Sequence, residues 1–245
     1  MFLPLLLFLI AQDRPAEPPR FAECMDLATG DPAAGQANAV KWRGEGGGAL
    51  ARQCLGVAYA NQGRWDSAAA AFEDAAREDE LANGSKVADY WVQSGNAWLA
   101  AGNPVRARSA FDAALARATL TGLALGEAHL DRARALVAAG DMDGARNDID
   151  KALSAAPGDP LAWLLSATLA RRQGDLKRAA ADIAEALRRS ADDVSVQLEA
   201  GNIAAAAGDE ANARTAWARV IELSPGSPAA TSARTALEQF GATEK

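Results

Sequence analysis

The 245-residue chain has one histidine, two cysteines and only 6% aromatic residues. With His129 alone and no close cysteine pair, no zinc-binding spacing is present. There is no nucleophile elbow, no phosphate loop and no Ser/His/Asp set. The glycine-rich stretch Gly44–Gly48 is interrupted by Glu45 and lacks a following Lys-Ser or Lys-Thr, so it reads as a linker. Paired carboxylates such as Asp192-Asp193 fall at junctions between segments and read as solvated caps. These absences predict a protein that is not an enzyme and that holds no metal and no cofactor. There is also no basic run. Asp and Glu number 32 against 25 Lys and Arg, a net charge of −7, which argues against nucleic acid or an anionic membrane surface as main partner.

No apolar run reaches the roughly 20 residues that span a bilayer as a helix. The longest, Met1 to Ile10 (MFLPLLLFLI), suits the core of a signal peptide with a cut near Ala11. The reading is therefore residues 1–11 as a signal peptide or short apolar leader and 12–20 as a linker, with no integral membrane span in the mature chain. A periplasmic or secreted protein follows, the alternative being a cytoplasmic scaffold with a misread N-terminus. Cys24 is not a lipid-attachment site, because it lies far from the apolar run and Glu23 before it is not small.

What the chain has in quantity is a repeat. Glycines recur at Gly63, Gly102, Gly140, Gly174 and Gly208, and an alanine stands five residues after each, at Ala68, Ala107, Ala145, Ala179 and Ala213. The gaps of 39, 38, 34 and 34 residues mark stacked helical hairpins rather than one compact core. Five units follow: 49–82, 88–121, 126–159, 160–193 and 194–227, with Asn83-Gly84-Ser85 and Gly122-Leu123 as loop insertions between the early ones. Residues 21–48 form a degenerate helical hairpin ahead of them, 228–240 a C-terminal capping helix and 241–245 a tail. Seven residues before each turn glycine stand Gly56, Gly95, Ala133, Ala167 and Gly201, all small. Nine residues after it stand Phe72, Phe111, Ile149, Ile183 and Trp217, expected to fill the space between successive units. Small and large residues at spacings of three and four share one helix face. Asp141, Asp175 and Asp209 are placed to cap the helices that follow them.

These columns resemble the tetratricopeptide repeat, most clearly in GEAHLDRARALVAAGDMDGARNDIDKALSAAPGD and PLAWLLSATLARRQGDLKRAAADIAEALRRSADD. The chain departs from that pattern at Arg52 and Gln197, where a large aromatic is usual, and at Pro104, which opens a second helix. The resemblance implies an all-α protein, a right-handed α-solenoid of tandem helix-turn-helix units. It implies a concave face lined by first helices and a protein or peptide partner. By the same analogy the partner-binding residues are Asn61, Asn96, Leu130, Arg134, Leu164, Arg171 and Asn202. The two-Lys, two-Asn and Arg clamp by which some members hold acidic chaperone tails does not appear at matching positions. An Ala/Arg/Gly/Asp-rich composition points to a bacterial source. If the chain is exported, Cys24 and Cys54 are available for one disulfide; otherwise they are two small buried apolar groups. The function expected is a protein–protein interaction scaffold in the bacterial envelope, or alternatively a self-associating structural repeat without a cognate peptide.

Overall fold

The computed structural model describes residues 18–242; the expected leader, most of the expected linker and residues 243–245 lie outside it. Thirteen helices and no strand are present among the described residues. The first pair is α1 (Pro19–Gly30) and α2 (Pro32–Gly44). The repeats follow as α3 (Gly48–Asn61) with α4 (Trp65–Leu81), α5 (Val87–Ala100) with α6 (Pro104–Ala116), and α7 (Gly122–Ala138) with α8 (Met142–Ala155). Next come α9 (Pro160–Arg172) with α10 (Leu176–Arg189), α11 (Val194–Ala206) with α12 (Glu210–Leu223), and finally α13 (Pro228–Ala242). Each helix packs on its chain neighbours, so the molecule is an α-solenoid whose apolar interior passes from one hairpin to the next.

The turns follow from residue chemistry. Gly63, Gly102, Gly140, Gly174 and Gly208 all have φ between 72° and 86°, a left-handed backbone that strains any side chain. After the last three, the Asp141, Asp175 and Asp209 carboxylates accept from the backbone N–H groups of Gly144, Arg178 and Asn212. Pro32, Pro104, Pro160 and Pro228 each open a helix, where a missing N–H costs nothing.

Packing within a hairpin is a matter of matched size. Ala68, Ala107, Ala145, Ala179 and Ala213 are fully buried where the second helix meets the first. A Cβ added at Gly56, Gly95 or Gly201 would lie 2.5 Å from the ring of Phe72, Phe111 or Trp217 respectively. Where the small residue is alanine instead, at Ala133 and Ala167, the large partner in the same cluster shrinks to Ile149 or Ile183. The large column therefore packs first across its own hairpin, not only between units as the sequence suggested. Phe72 serves both contacts, since it also shares a cluster with Ala97 and Trp98 of the next unit.

Three boundaries differ from expectation. Gly122 and Leu123 are the first turn of α7 rather than a loop, so this helix runs 17 residues and starts four residues before the repeat does. Helix α1 begins at Pro19, inside the expected linker, and α13 continues to Ala242, into the expected tail.

The α1–α2 pair covers the start of the array. Cys24 of α1 and Cys54 of α3 are joined as a disulfide, Cα atoms 6.1 Å apart, both side chains fully buried. At the far end of α3, Asn61 Nδ2 donates to the Ala28 carbonyl and Gln62 Nε2 to the Pro32 carbonyl. The disulfide closes a loop across a sequence separation of 30 residues. In the chain-entropy treatment such a loop stabilises by about 3–4 kcal/mol. Reduction with a thiol is expected to lower the stability of the α1–α3 region by that amount. Urea titrations with and without reductant, followed by hydrogen exchange of the α1–α3 amides, check it; coincident curves would contradict it.

Candidate functional site

First helices face one another along the array: α5 touches α7, α7 touches α9, α9 touches α11 and α11 touches α13. This crowding places the first helices on the inner side of the curve. Between α3, α5, α7 and α9 lies a groove of about 580 Å³. Gln53, Gln93 and Asn96 give it a polar wall, Asp89, Glu127 and Asp131 carboxylates with Lys86 as a single cation, and Val92 and Leu161 apolar contacts. Leu161 is 49% exposed, unusual for so large an apolar side chain. Further along α7 and α9 a second cleft of about 250 Å³ opens. Val137, Leu165 and Leu169 line it, with Arg134 and Arg172.

The seven candidate residues fall into three sets. Arg134 is exposed at the second cleft and Leu164 is half-buried on the inner face. Four are held by the array itself: Asn61 by Ala28, Asn96 by Asp131 Oδ2 at 2.7 Å, Arg171 by Glu199 through Nε at 2.7 Å, and Asn202 by the Trp217 indole N–H at 3.2 Å. Leu130 is the most deeply buried of the seven. It is 2% exposed and packed with Ala133, Leu136 and Ala162, so it lines the groove as its floor rather than standing free in solvent. Among the described residues no group of His, Cys, Asp and Glu could hold a metal ion, and no helix is long and apolar enough to cross a membrane.

Comparison with known proteins agrees with this geometry. The tetratricopeptide-repeat family profile matches residues 55–120, 130–193 and 164–228. The chain belongs to the tetratricopeptide-repeat family. Its units thus form the right-handed solenoid of that family. No curated protein sequence matches the chain. Among solved structures, it is similar to PilW, described as a widely conserved type IV pilus biogenesis factor, with a TM-score of 0.73 and 21% identity, covering 89% of this chain and 96% of that one. It is similar to PilF of Pseudomonas aeruginosa, TM-score 0.69 and 14% identity over 88% of this chain and 97% of that one. It is also similar to YrrB, a tetratricopeptide-repeat protein with an unusual peptide-binding site, TM-score 0.56 and 17% identity over 80% and 96%. At these identities the likeness establishes the fold alone.

Polar couples interrupt the apolar interior in the middle of the array. Eight residues before and after the turn glycine, the five repeats carry Leu55 with Ala71, Ser94 with Ala110, Arg132 with Asp148, Ser166 with Asp182, and Ala200 with Ala216. In the third repeat Arg132 holds Asp148 with two hydrogen bonds, Nε to Oδ2 at 2.6 Å and Nη2 to Oδ1 at 2.7 Å, and reaches Asp112 of α6 at 2.7 Å. His129 Nδ1 lies 3.3 Å from Asp148 Oδ1. Burial by itself would raise the Asp148 pKa; the Arg132 and His129 hydrogen bonds and charges outweigh it and hold the carboxyl at about 2. In the fourth repeat the Ser166 hydroxyl donates to Asp182, while Arg146 of α8 donates to Ser166 Oγ at 2.8 Å. Arg178 joins Asp182 to Asp150 of α8. Burial and the neighbouring Arg178 guanidinium lower the Arg146 pKa. These polar couples fix the register of α6 to α10, the segment that carries the α7 and α9 side of the groove. Their signal was in the sequence: Arg132 and Asp148 each immediately precede a core column residue, Ala133 and Ile149.

Proposed function

We propose that this array is a non-enzymatic scaffold of the bacterial envelope that holds a segment of a partner protein against its first-helix face. The observation that carries this is the groove of about 580 Å³ between α3, α5, α7 and α9. It combines exposed apolar surface at Leu161 with amide and carboxylate groups that suit a peptide backbone and its side chains. A preformed, internally braced surface adds little ordering cost on binding. The envelope is favoured by three things: the apolar stretch at Met1–Ile10, a disulfide of the kind that persists in oxidising compartments, and a fold shared with a pilus biogenesis factor.

The test is a photo-crosslinking amino acid placed at Ala124 or Leu161 in the groove, and at Ala184 or Ala218, exposed on the second helices α10 and α12. Irradiation of cells is expected to give one discrete adduct shared by the two groove positions and absent from the other two. Adducts only from α10 and α12, or an adduct at twice the chain mass from every position, would replace this reading with self-association.

A further inference from the structure

The cleft between the C-terminal halves of α7 and α9 has its own chemistry. Its volume of about 250 Å³ is below the roughly 300–1,000 Å³ of small-molecule sites and suits one or two side chains. Val137, Ile149, Leu165 and Leu169 make it apolar, and both of its charges, Arg134 and Arg172, are positive and exposed. The chain has 32 carboxylates for 25 Lys and Arg. Many of its arginines find carboxylate partners, among them Arg132 with Asp148, Arg171 with Glu199, Arg178 with Asp150 and Arg219 with Asp192, and others lie over aromatic rings, such as Arg64 over Tyr59 and Arg106 over Trp98. Among the described residues the Arg172 side chain makes no ion pair and no hydrogen bond. Arg134 makes one contact, at 3.2 Å to Asp131, with its side chain 58% exposed. Two exposed cations at the edge of an apolar cleft, one held only by a single long contact and the other by none, are complementary to a further anion brought by a partner.

We infer that this cleft seats a partner segment in which a large apolar side chain stands beside a carboxylate. The apolar group enters between Val137 and Leu165, and the carboxylate meets Arg134 and Arg172. A guanidinium binds a carboxylate through two parallel N–H donors, and next to apolar surface that pairing is screened less than in open water. The polarity of the segment follows as well. One to two turns back along α7 stand Asp131 and Glu127, with Asp89 across the groove on α5. Lys86 is the one cation beside these three carboxylates, so that end keeps a net negative charge that disfavours an acidic residue and favours a basic one. The segment therefore runs with its acidic end towards the C-termini of α7 and α9. This inference rests on the first-helix face being the binding surface.

The test is selection of a random dodecapeptide display library on the full chain, in parallel with the Arg134→Glu/Arg172→Glu double variant and with Arg172→Glu alone. The single variant removes a cation that has no partner to lose, so it keeps the test valid should the double variant misfold. Peptides selected by the native chain are expected to carry Asp or Glu within two residues of Leu, Ile, Met or Phe. Their binding is expected to fall about tenfold on Arg172→Glu, the size of one charge-assisted hydrogen bond. Selection on the double variant is expected to favour Lys or Arg at the acidic position while the apolar residue stays. Peptides that lack carboxylate enrichment, or whose acidic preference survives the charge reversals, would overturn the inference; if those peptides still protect the groove crosslinking positions, the scaffold reading stands without it. A library that yields no binder counts against both.

Discussion

Replacing Arg132 by alanine is expected to destabilise the array by about 3–5 kcal/mol at neutral pH, because it strands a buried carboxylate. Asp148 is 2% exposed, and Arg132 supplies two of its hydrogen bonds. His129 at 3.3 Å and Lys151 at 3.9 Å are too distant or too exposed to take over. The first repeat supplies the rescue, since it fills the same two positions with Leu55 and Ala71. The Arg132→Leu/Asp148→Ala double variant is expected to recover most of the loss, because an apolar couple replaces an ion pair without leaving either charge alone. The pH dependence separates the two. Asp148 has its folded pKa lowered from 3.8 to about 2. Its stabilising contribution is therefore complete above the unfolded value and is lost as pH falls from about 4 through 2. That contribution amounts to about 2 kcal/mol. Urea denaturation at pH 7 and pH 2 is expected to show this acid loss in the native chain and its absence in the double variant. An Arg132→Ala variant as stable as the native protein would contradict the assignment.

The second large effect concerns the match of small to large residues inside each hairpin. Gly95→Ala improves intrinsic helix propensity by about 1 kcal/mol. Yet the added Cβ would stand 2.5 Å from the buried Phe111 ring. Overpacking of that kind costs about 1–3 kcal/mol. The net result expected is destabilisation, in spite of propensity. Phe111→Ile alone leaves a void and is also expected to destabilise, by about 2 kcal/mol. The two changes together reproduce the Ala133/Ile149 and Ala167/Ile183 couples already present in the third and fourth repeats. The double variant is expected to be more stable than either single one, with a coupling energy above about 1 kcal/mol in a double-mutant cycle on thermal or urea unfolding. Additive losses would show that the small and large columns do not meet across the hairpin.

The architecture was legible because its determinants are local and periodic. A left-handed turn demands glycine, and the five turn glycines stand out on that ground alone. The close approach of two helices demands small residues, which expose the columns at Ala68 and its equivalents. Aspartate after the turn glycine caps the next helix without reference to the rest of the fold. The site was less legible because it depends on helix rotation and on residues distant in sequence. Leu130 lines the groove as the analogy implies, but α7 sinks it to the floor and sets the Asp131 carboxylate beside it. Asn96 and Asn202 have the composition of peptide-binding residues. Asp131 and Trp217, 35 and 15 positions away, engage them first. The four-residue forward extension of α7 is hidden in the sequence because Gly122-Leu123 has the composition of a turn.

Methyl-resolved NMR of the array with the partner segment recovered from groove crosslinking tests the central claim most directly. Val92, Val137, Leu161 and Leu165, on the first helices α5, α7 and α9, are expected to shift on titration. Leu81 and Val105, which are 85% and 70% exposed on α4 and α6, are expected to stay in place. Shifts at Leu81 and Val105 with the inner methyls unmoved would mean that the array works through its outer surface.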